Sequence, residues 1–165
     1  MAKITLGGNP IETRGELPKV GEKVADFTLA KVDLSRASLA DFAGKKIVFN
    51  IFPSVDTGVC AASVRYFNEK AAAMDNTVVL CISRDLPFAQ QRFCGAEGIE
   101  NVVMLSDFED GSFGKDYALD INDGIFKGLH SRVIIITDEN GVIKYTEQVP
   151  EIGQAPDFDS ALAHL

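Results

Sequence analysis

A chain of 165 residues with 46% hydrophobic content can bury one sizeable core, and residues 1–165 are expected to form one domain. The formal charge of −8 argues against a general affinity for nucleic acid or for an anionic membrane surface, both of which depend on Lys and Arg. No apolar run approaches the length of a membrane span, and Met1–Gly8 lacks the apolar stretch and cleavage site of a secretion signal, so a cytoplasmic location is expected.

Ile4–Leu6 and Pro10–Thr13 around Gly7-Gly8 read as a small hairpin, followed by a polar loop from Leu17 to Val24 and a short strand at Phe27–Val32. Ser38–Gly44 supplies a cap, a helical turn and a glycine stop. Lys46–Phe52 is short, β-branched and aromatic, which predicts a buried strand. Pro53, Asp56, Thr57 and Gly58 then mark a turn. Beyond it Val59, Ala62, Val64, Phe67, Ala71 and Met74 recur at helical spacing, which predicts an amphipathic helix over 59–74.

The second half alternates in the same way: strand Thr77–Ser83, helix Pro87–Cys94, strand Asn101–Leu105 and a short helix near Ser112–Tyr117. Strands Arg132–Thr137 and Val142–Gln148 flank Asp138-Glu139-Asn140-Gly141, and a last helix starts near Asp157. Strands separated by helices predict parallel crossover units, and the final pair an antiparallel hairpin. The predicted class is α/β, with a mixed central sheet flanked by helices. No repeat or linker divides it.

Three cysteines are too few for a disulfide scaffold and fit catalysis or redox sensing better. Cys60 falls in the first turn of a predicted helix, where N–H groups lack intrahelical partners and the helix dipole is positive. A thiolate is stabilised in such a place. Cys81, inside Val78–Ile82, reads as a core thiol disfavoured from ionising. Cys94, at a predicted helix end beside Gly95, leaves two readings: packing with Phe93, or a thiol on a segment that glycine lets unwind. Arg132 opens a strand, a position where most arginines are solvated. Arg65, five residues after Cys60, is carried well round the helix and is expected to face solvent.

Rival motifs fall away on spacing. No Cys-x-x-Cys is present, and His130 and His164 lie far apart without zinc-type cysteine spacing, so no metal is expected. Gly111–Gly114 lacks the lysine of a phosphate loop. His130 could serve Cys60 in a cysteine protease, but nothing else supplies acyl-transfer machinery.

Pro53-x-x-x-Thr57-x-x-Cys60 resembles the active-site motif of the peroxiredoxins, and the string Asn50–Arg65 closely resembles their bacterial thiol peroxidase subfamily. The similarity extends over nearly the whole chain. It implies a thioredoxin-like fold with an added N-terminal β-hairpin, Cys60 as the peroxidatic nucleophile and Cys94 as the resolving cysteine. It further implies that Arg132 holds a guanidinium near the Cys60 sulfur, that Thr57 aligns thiolate and peroxide through its hydroxyl, and that Pro53 shapes and shields the loop. The implied activity is reduction of hydrogen peroxide and alkyl hydroperoxides through a Cys60 sulfenic acid and a Cys60–Cys94 disulfide, serving antioxidant defence. The implied partners are thioredoxin as reductant and a second copy in a homodimer, with no cofactor. Two other readings stay open at this point: a redox sensor using the same pair, and a non-enzymatic thioredoxin-like binding domain.

Overall fold

The computed structural model describes residues 1–165. Strands β1 (Lys3–Leu6) and β2 (Asn9–Glu12) form the separate N-terminal hairpin. The main sheet is built from β3 (Thr28–Lys31), β4 (Arg36–Ser38), β5 (Lys46–Ile51), β6 (Thr77–Ser83), β7 (Val103–Ser106), β8 (Val133–Thr137) and β9 (Ile143–Gln148), in the spatial order β4-β3-β7-β6-β5-β8-β9. Helices α1 (Gly58–Ala71) and α2 (Pro87–Glu97) make the crossovers that leave β5, β6 and β7 mutually parallel. The remaining neighbours pair antiparallel, including the predicted β8–β9 hairpin. Two short helices, α3 (Ser112–Asp116) and α4 (Phe158–Leu162), complete the layers.

Because side chains alternate along a strand, the central strands divide their apolar residues between two cores. Ile47, Phe49 and Ile51 of β5, Leu80 and Ile82 of β6, and Val133 and Ile135 of β8 meet Phe113 of α3 on one side. Val48, Val79, Cys81, Ile134 and Ile136 meet α1, α2 and α4 on the other, through Val64, Phe67, Phe93 and Ala161. Both faces are covered, so these strands read as near-continuous apolar runs rather than as alternation. Cys60, Cys81 and the half-buried Cys94 all belong to the second side.

Strand ends shift by a residue or so from the sequence reading, and four larger differences each have a local reason. Strand β4 was not predicted; its three residues pair with β3 around Leu29 and Ala37, too short a segment to show a period. Helix α1 ends at Ala71 rather than Met74, where the Ala73 and Met74 amides turn back to Lys70 and Ala71. Helix α2 runs on to Glu97 and stops at Gly98, whose φ of 66° gives the left-handed cap. Gly95 is therefore inside the helix. Strand β7 starts at Val103 because the Glu100 and Asn101 amides are bound by the Asn68 side chain. No helix is long and apolar enough to cross a membrane.

Candidate active site

The seam between β5 and α1 is held by a carboxylate that sequence reading passed over. Asp85, just after β6, accepts hydrogen bonds from Ser54 Oγ at 2.7 Å, the Val55 amide at 2.9 Å and Ser83 Oγ at 2.6 Å. Its backbone carbonyl accepts from Ser106 Oγ. Pro53 is buried in the loop so anchored. The Thr57 hydroxyl donates to the Ser54 carbonyl at 3.0 Å, and the Thr57 carbonyl accepts the first intrahelical bond of α1 from Ala61. Gly58, Val59 and Cys60 therefore form the first turn, with amides that precede the helix's own hydrogen-bond ladder.

Cys60 is fully buried there, and its sulfur accepts a hydrogen bond from Arg132 Nη1 at 3.1 Å. Arg132 is itself 3% exposed, unlike most arginines that open a strand, and its guanidinium lies at the sulfur, where the resemblance implies it. Its Nε donates to the Ile152 carbonyl at 2.8 Å, which fixes the plane of the guanidinium. Of the five residues that the resemblance singles out, Cys60 and Arg132 are in direct contact, Thr57 shares a cavity with Arg132, and Pro53 is buried in the loop that precedes them. The fifth, Cys94, stands apart on α2, where it lines a separate cavity with Lys31, Val32, Ile99 and Val102. Burial pushes its thiol pKa up from the ordinary value.

A cavity of about 140 Å³ opens beside Arg132, lined also by Leu6, Thr57, Gly58, Val59, Phe126 and Ile152. Residues of the α1 first turn and Arg132 thus share this cavity with the apolar side chains of Leu6, Phe126 and Ile152. Leu6 comes from the N-terminal hairpin, and no feature of a single sequence would have placed it there.

Asn50 links the site to the sheet beneath. From β5 its Nδ2 donates to Ser63 Oγ at 3.2 Å and to Cys81 Sγ at 3.6 Å, and Ser63 Oγ donates to the Cys60 carbonyl at 2.7 Å. Ser63 lies three residues after Cys60, a spacing from which a hydroxyl bond back to the helix could have been anticipated. Cys81 is the core thiol expected, with a pKa pushed up to about 12 by burial. Arg65 is exposed, as expected, and pairs with Glu97 of α2 at 3.5 Å. His130 is turned away from Cys60: its Nε2 pairs with buried Asp107 at 2.8 Å, and Asp107 also accepts from the Phe113 and Gly114 amides of α3. Its ring packs against Phe113, in the core on the other face of the sheet from Cys60, which removes it as the base of a cysteine protease. No group of three or more His, Cys, Asp or Glu side chains is arranged to hold a metal ion.

Comparison with known proteins gives the family of the chain. Residues 19–163 match the Redoxin family. The chain is 54% identical to a thiol peroxidase of Corynebacterium glutamicum over 165 residues, covering 100% of this chain and 99% of that one. It is 56% identical to the thiol peroxidase of Mycobacterium tuberculosis, with the same coverage. Among solved structures, a peroxiredoxin-like protein from Aquifex aeolicus superposes with a TM-score of 0.92 at 34% identity, covering 98% of this chain and 94% of that one. A thiol peroxidase from Chromobacterium violaceum shares the fold, with a TM-score of 0.88 at 22% identity over 98% of this chain and 93% of that one. The fold is thus thioredoxin-like, and the chain belongs to the Redoxin family and, within it, to the thiol peroxidases, oxidoreductases of the peroxiredoxin type.

Proposed function

We propose that the protein reduces hydrogen peroxide and alkyl hydroperoxides with Cys60 and is recycled through a Cys60–Cys94 disulfide by thioredoxin. The observation that carries this reading is the buried Cys60 sulfur in the first turn of α1 with Arg132 Nη1 at 3.1 Å. A guanidinium there supports the thiolate that the desolvated position would otherwise penalise. The Cys60 thiolate attacks the terminal oxygen of the hydroperoxide and the O–O bond breaks. The sulfur becomes a sulfenic acid and the alkoxide or hydroxide leaves, taking up a proton as alcohol or water.

Thr57, which lines the cavity and has its hydroxyl proton committed to Ser54, keeps oxygen lone pairs for the hydroperoxide proton. Arg132 has donors to spare for the peroxide oxygens as charge develops on them. Pro53 and the Asp85-anchored loop keep water from the sulfur. The apolar walls supplied by Leu6, Val59, Phe126 and Ile152 favour an alkyl group beside the peroxide.

The sulfenic acid then condenses with the Cys94 thiol, forming the S–S bond and releasing water. Cys94 is half-buried and lines a different cavity, so this step needs α2 to open. Thioredoxin reduces the disulfide by thiol–disulfide exchange. The reading further treats residues 1–165 as one domain acting in antioxidant defence in the cytoplasm. It pairs two copies in a homodimer, for which exposed Leu86, Phe88 and Ile125 supply apolar surface.

The test is thioredoxin-coupled consumption of hydrogen peroxide and of an alkyl hydroperoxide, measured side by side. Turnover of both that disappears in Cys60→Ser supports the reading, and turnover that survives the substitution overturns it.

A further inference from the structure

Arg132 has no carboxylate within ion-pair distance. Apart from the Cys60 sulfur, what orients its guanidinium is the carbonyl of Ile152. The position of that carbonyl is set in turn by the N-terminal hairpin. The Ile152 amide donates to the Thr5 carbonyl at 2.9 Å and the Thr5 amide to the Pro150 carbonyl at 2.7 Å, so residues 150–152 run alongside β1. The Ile152 side chain is buried with Ile4 and Ile11 of the hairpin and with Ile121, a satellite core separate from the two that flank the sheet.

Glu151 locks the two segments together. Its Oε1 accepts from Thr5 Oγ1 at 3.1 Å and from the Gly8 amide at 2.8 Å, while its Oε2 accepts from the Gly153 amide at 3.0 Å. Gly7 and Gly8 have φ values of 58° and 82°, the left-handed pair of a tight hairpin turn, and that turn delivers the Gly8 amide to the carboxylate. Hydrogen bonds from the Gly153 and Gly8 amides hold the Glu151 pKa below the ordinary carboxylate range, so it remains an acceptor at neutral pH. The carboxylate thus clamps the chain on both sides of Ile152, one residue before it and one after.

We propose that the N-terminal hairpin is part of the catalytic apparatus and that Glu151 is a positioning residue, holding the Ile152 carbonyl so that Arg132 faces Cys60. The hairpin acts twice: its Leu6 lines the cavity beside Arg132, and its clamp sets the guanidinium. The proposal rests on the assignment of Cys60 as the reactive thiol.

A double-mutant cycle tests it. Wild type, Glu151→Ala, Arg132→Met and the double variant are compared by the second-order rate of Cys60 oxidation by peroxide. They are also compared by the rate of Cys60 alkylation by iodoacetamide, assigned by peptide mass spectrometry. Glu151→Ala is expected to slow both about tenfold and Glu151→Gln about threefold. In the Arg132→Met background the Glu151 substitution should have no further effect, because it acts through the guanidinium. Multiplicative losses in the double variant, or wild-type rates in Glu151→Ala, overturn the proposal. If Glu151→Ala does not fold, Glu151→Gln closes the same cycle. If wild type does not react with peroxide at all, the peroxidase reading fails, and the alkylation cycle still decides the role of Glu151.

Discussion

Arg132 and Cys60 lie 72 residues apart in the chain, yet Nη1 of the one donates to Sγ of the other at 3.1 Å inside the protein. The sulfur is sealed from solvent, so a charge on it depends on this donor and on the first-turn amides of α1. A hydrogen bond to a charged group contributes about 1.5–3 kcal/mol, which corresponds to about a ten- to hundredfold change in rate. Arg132→Met is expected to slow Cys60 oxidation by that factor in stopped-flow measurements. Arg132→Lys should recover only part of it, since one ammonium cannot reach both Ile152 and the sulfur as a planar fork does. An unchanged rate in Arg132→Met would remove the arginine from the mechanism.

Much of this site is legible in the sequence, and the reasons differ residue by residue. Cys60 stood at the junction of a β-branched run and a helical period, with turn residues between, and the local pattern alone placed it in a first turn. Cys81 was equally plain, because its neighbours are apolar on both sides. The partner residues were not readable in the same way. Arg132 is buried only because residues 149–153 and the hairpin close over it, and Asp85 matters only because β6 lies beside β5. Both contacts are created by strand order, which no local period records. The end of α2 was misplaced for a narrower reason: Gly95 and Gly98 each offer a stop, and only the backbone shows that Gly98 takes the left-handed turn.

Removing either of the two other cysteines separates their roles. Cys81→Ser is expected to leave turnover close to wild type, because the thiol's one hydrogen-bond partner is Asn50, which a hydroxyl can also satisfy. Cys94→Ser should allow one round of peroxide reduction and then stall with thioredoxin, leaving Cys60 as sulfenic acid for a dimedone probe. Loss of recycling in Cys81→Ser instead would transfer the resolving role.

The same Cys81 predicts an alkaline weakness. Its folded pKa of about 12 exceeds the reference value of 9.0, so the native state keeps a proton that the unfolded chain releases. Stability is therefore unaffected by this group below pH 9 and falls as pH rises from 9 towards 12. Linkage puts the loss at about 1.4 kcal/mol between pH 8 and pH 10. Urea unfolding of wild type and Cys81→Ser at the two pH values should show the variant losing less by that amount. Parallel pH slopes would mean that the thiol is not held neutral.

Asp85 should matter to both stability and rate. Asp85→Ala leaves Ser54 Oγ, Ser83 Oγ and the Val55 amide without their acceptor. For partly buried groups the cost is about 2 kcal/mol, visible as a drop of several degrees in Tm. The loop that carries Pro53 and Thr57 loosens with it, so peroxide reduction should slow even at temperatures where the variant is fully folded. A folded variant with an unchanged rate would show that the anchor serves stability alone.

The last prediction concerns how Cys94 reaches Cys60. A disulfide needs Cα atoms within roughly 4.4–6.8 Å and Cβ vectors aimed at each other. In this structure all three cysteines are free, with Cys60 sealed under Arg132 and Cys94 lining its own cavity. The attachment of α2 is uneven along its length. Gln90 fastens the first half to the sheet through the Leu105 carbonyl at 2.9 Å and Ser83 Oγ at 3.3 Å. Beyond it, Phe93 and Cys94 are held by packing, and the helix by two exposed ion pairs, Arg92–Asp56 at 2.8 Å and Arg65–Glu97 at 3.5 Å, of a kind that solvent and salt screen. Gly95 within that half weakens it by about 1 kcal/mol relative to alanine. Opening should therefore begin after Gln90 and spread to the first turn of α1 as Cys60 leaves its pocket. Hydrogen exchange on reduced and oxidised protein is expected to show lost protection over 93–98 and 59–63, with 47–51 and 78–82 unchanged. Arg65→Ala should speed disulfide formation without altering the first step at Cys60. Equal exchange in the two redox states would mean that the sulfurs meet without unwinding, and the division of α2 at Gln90 would then have no role in the cycle.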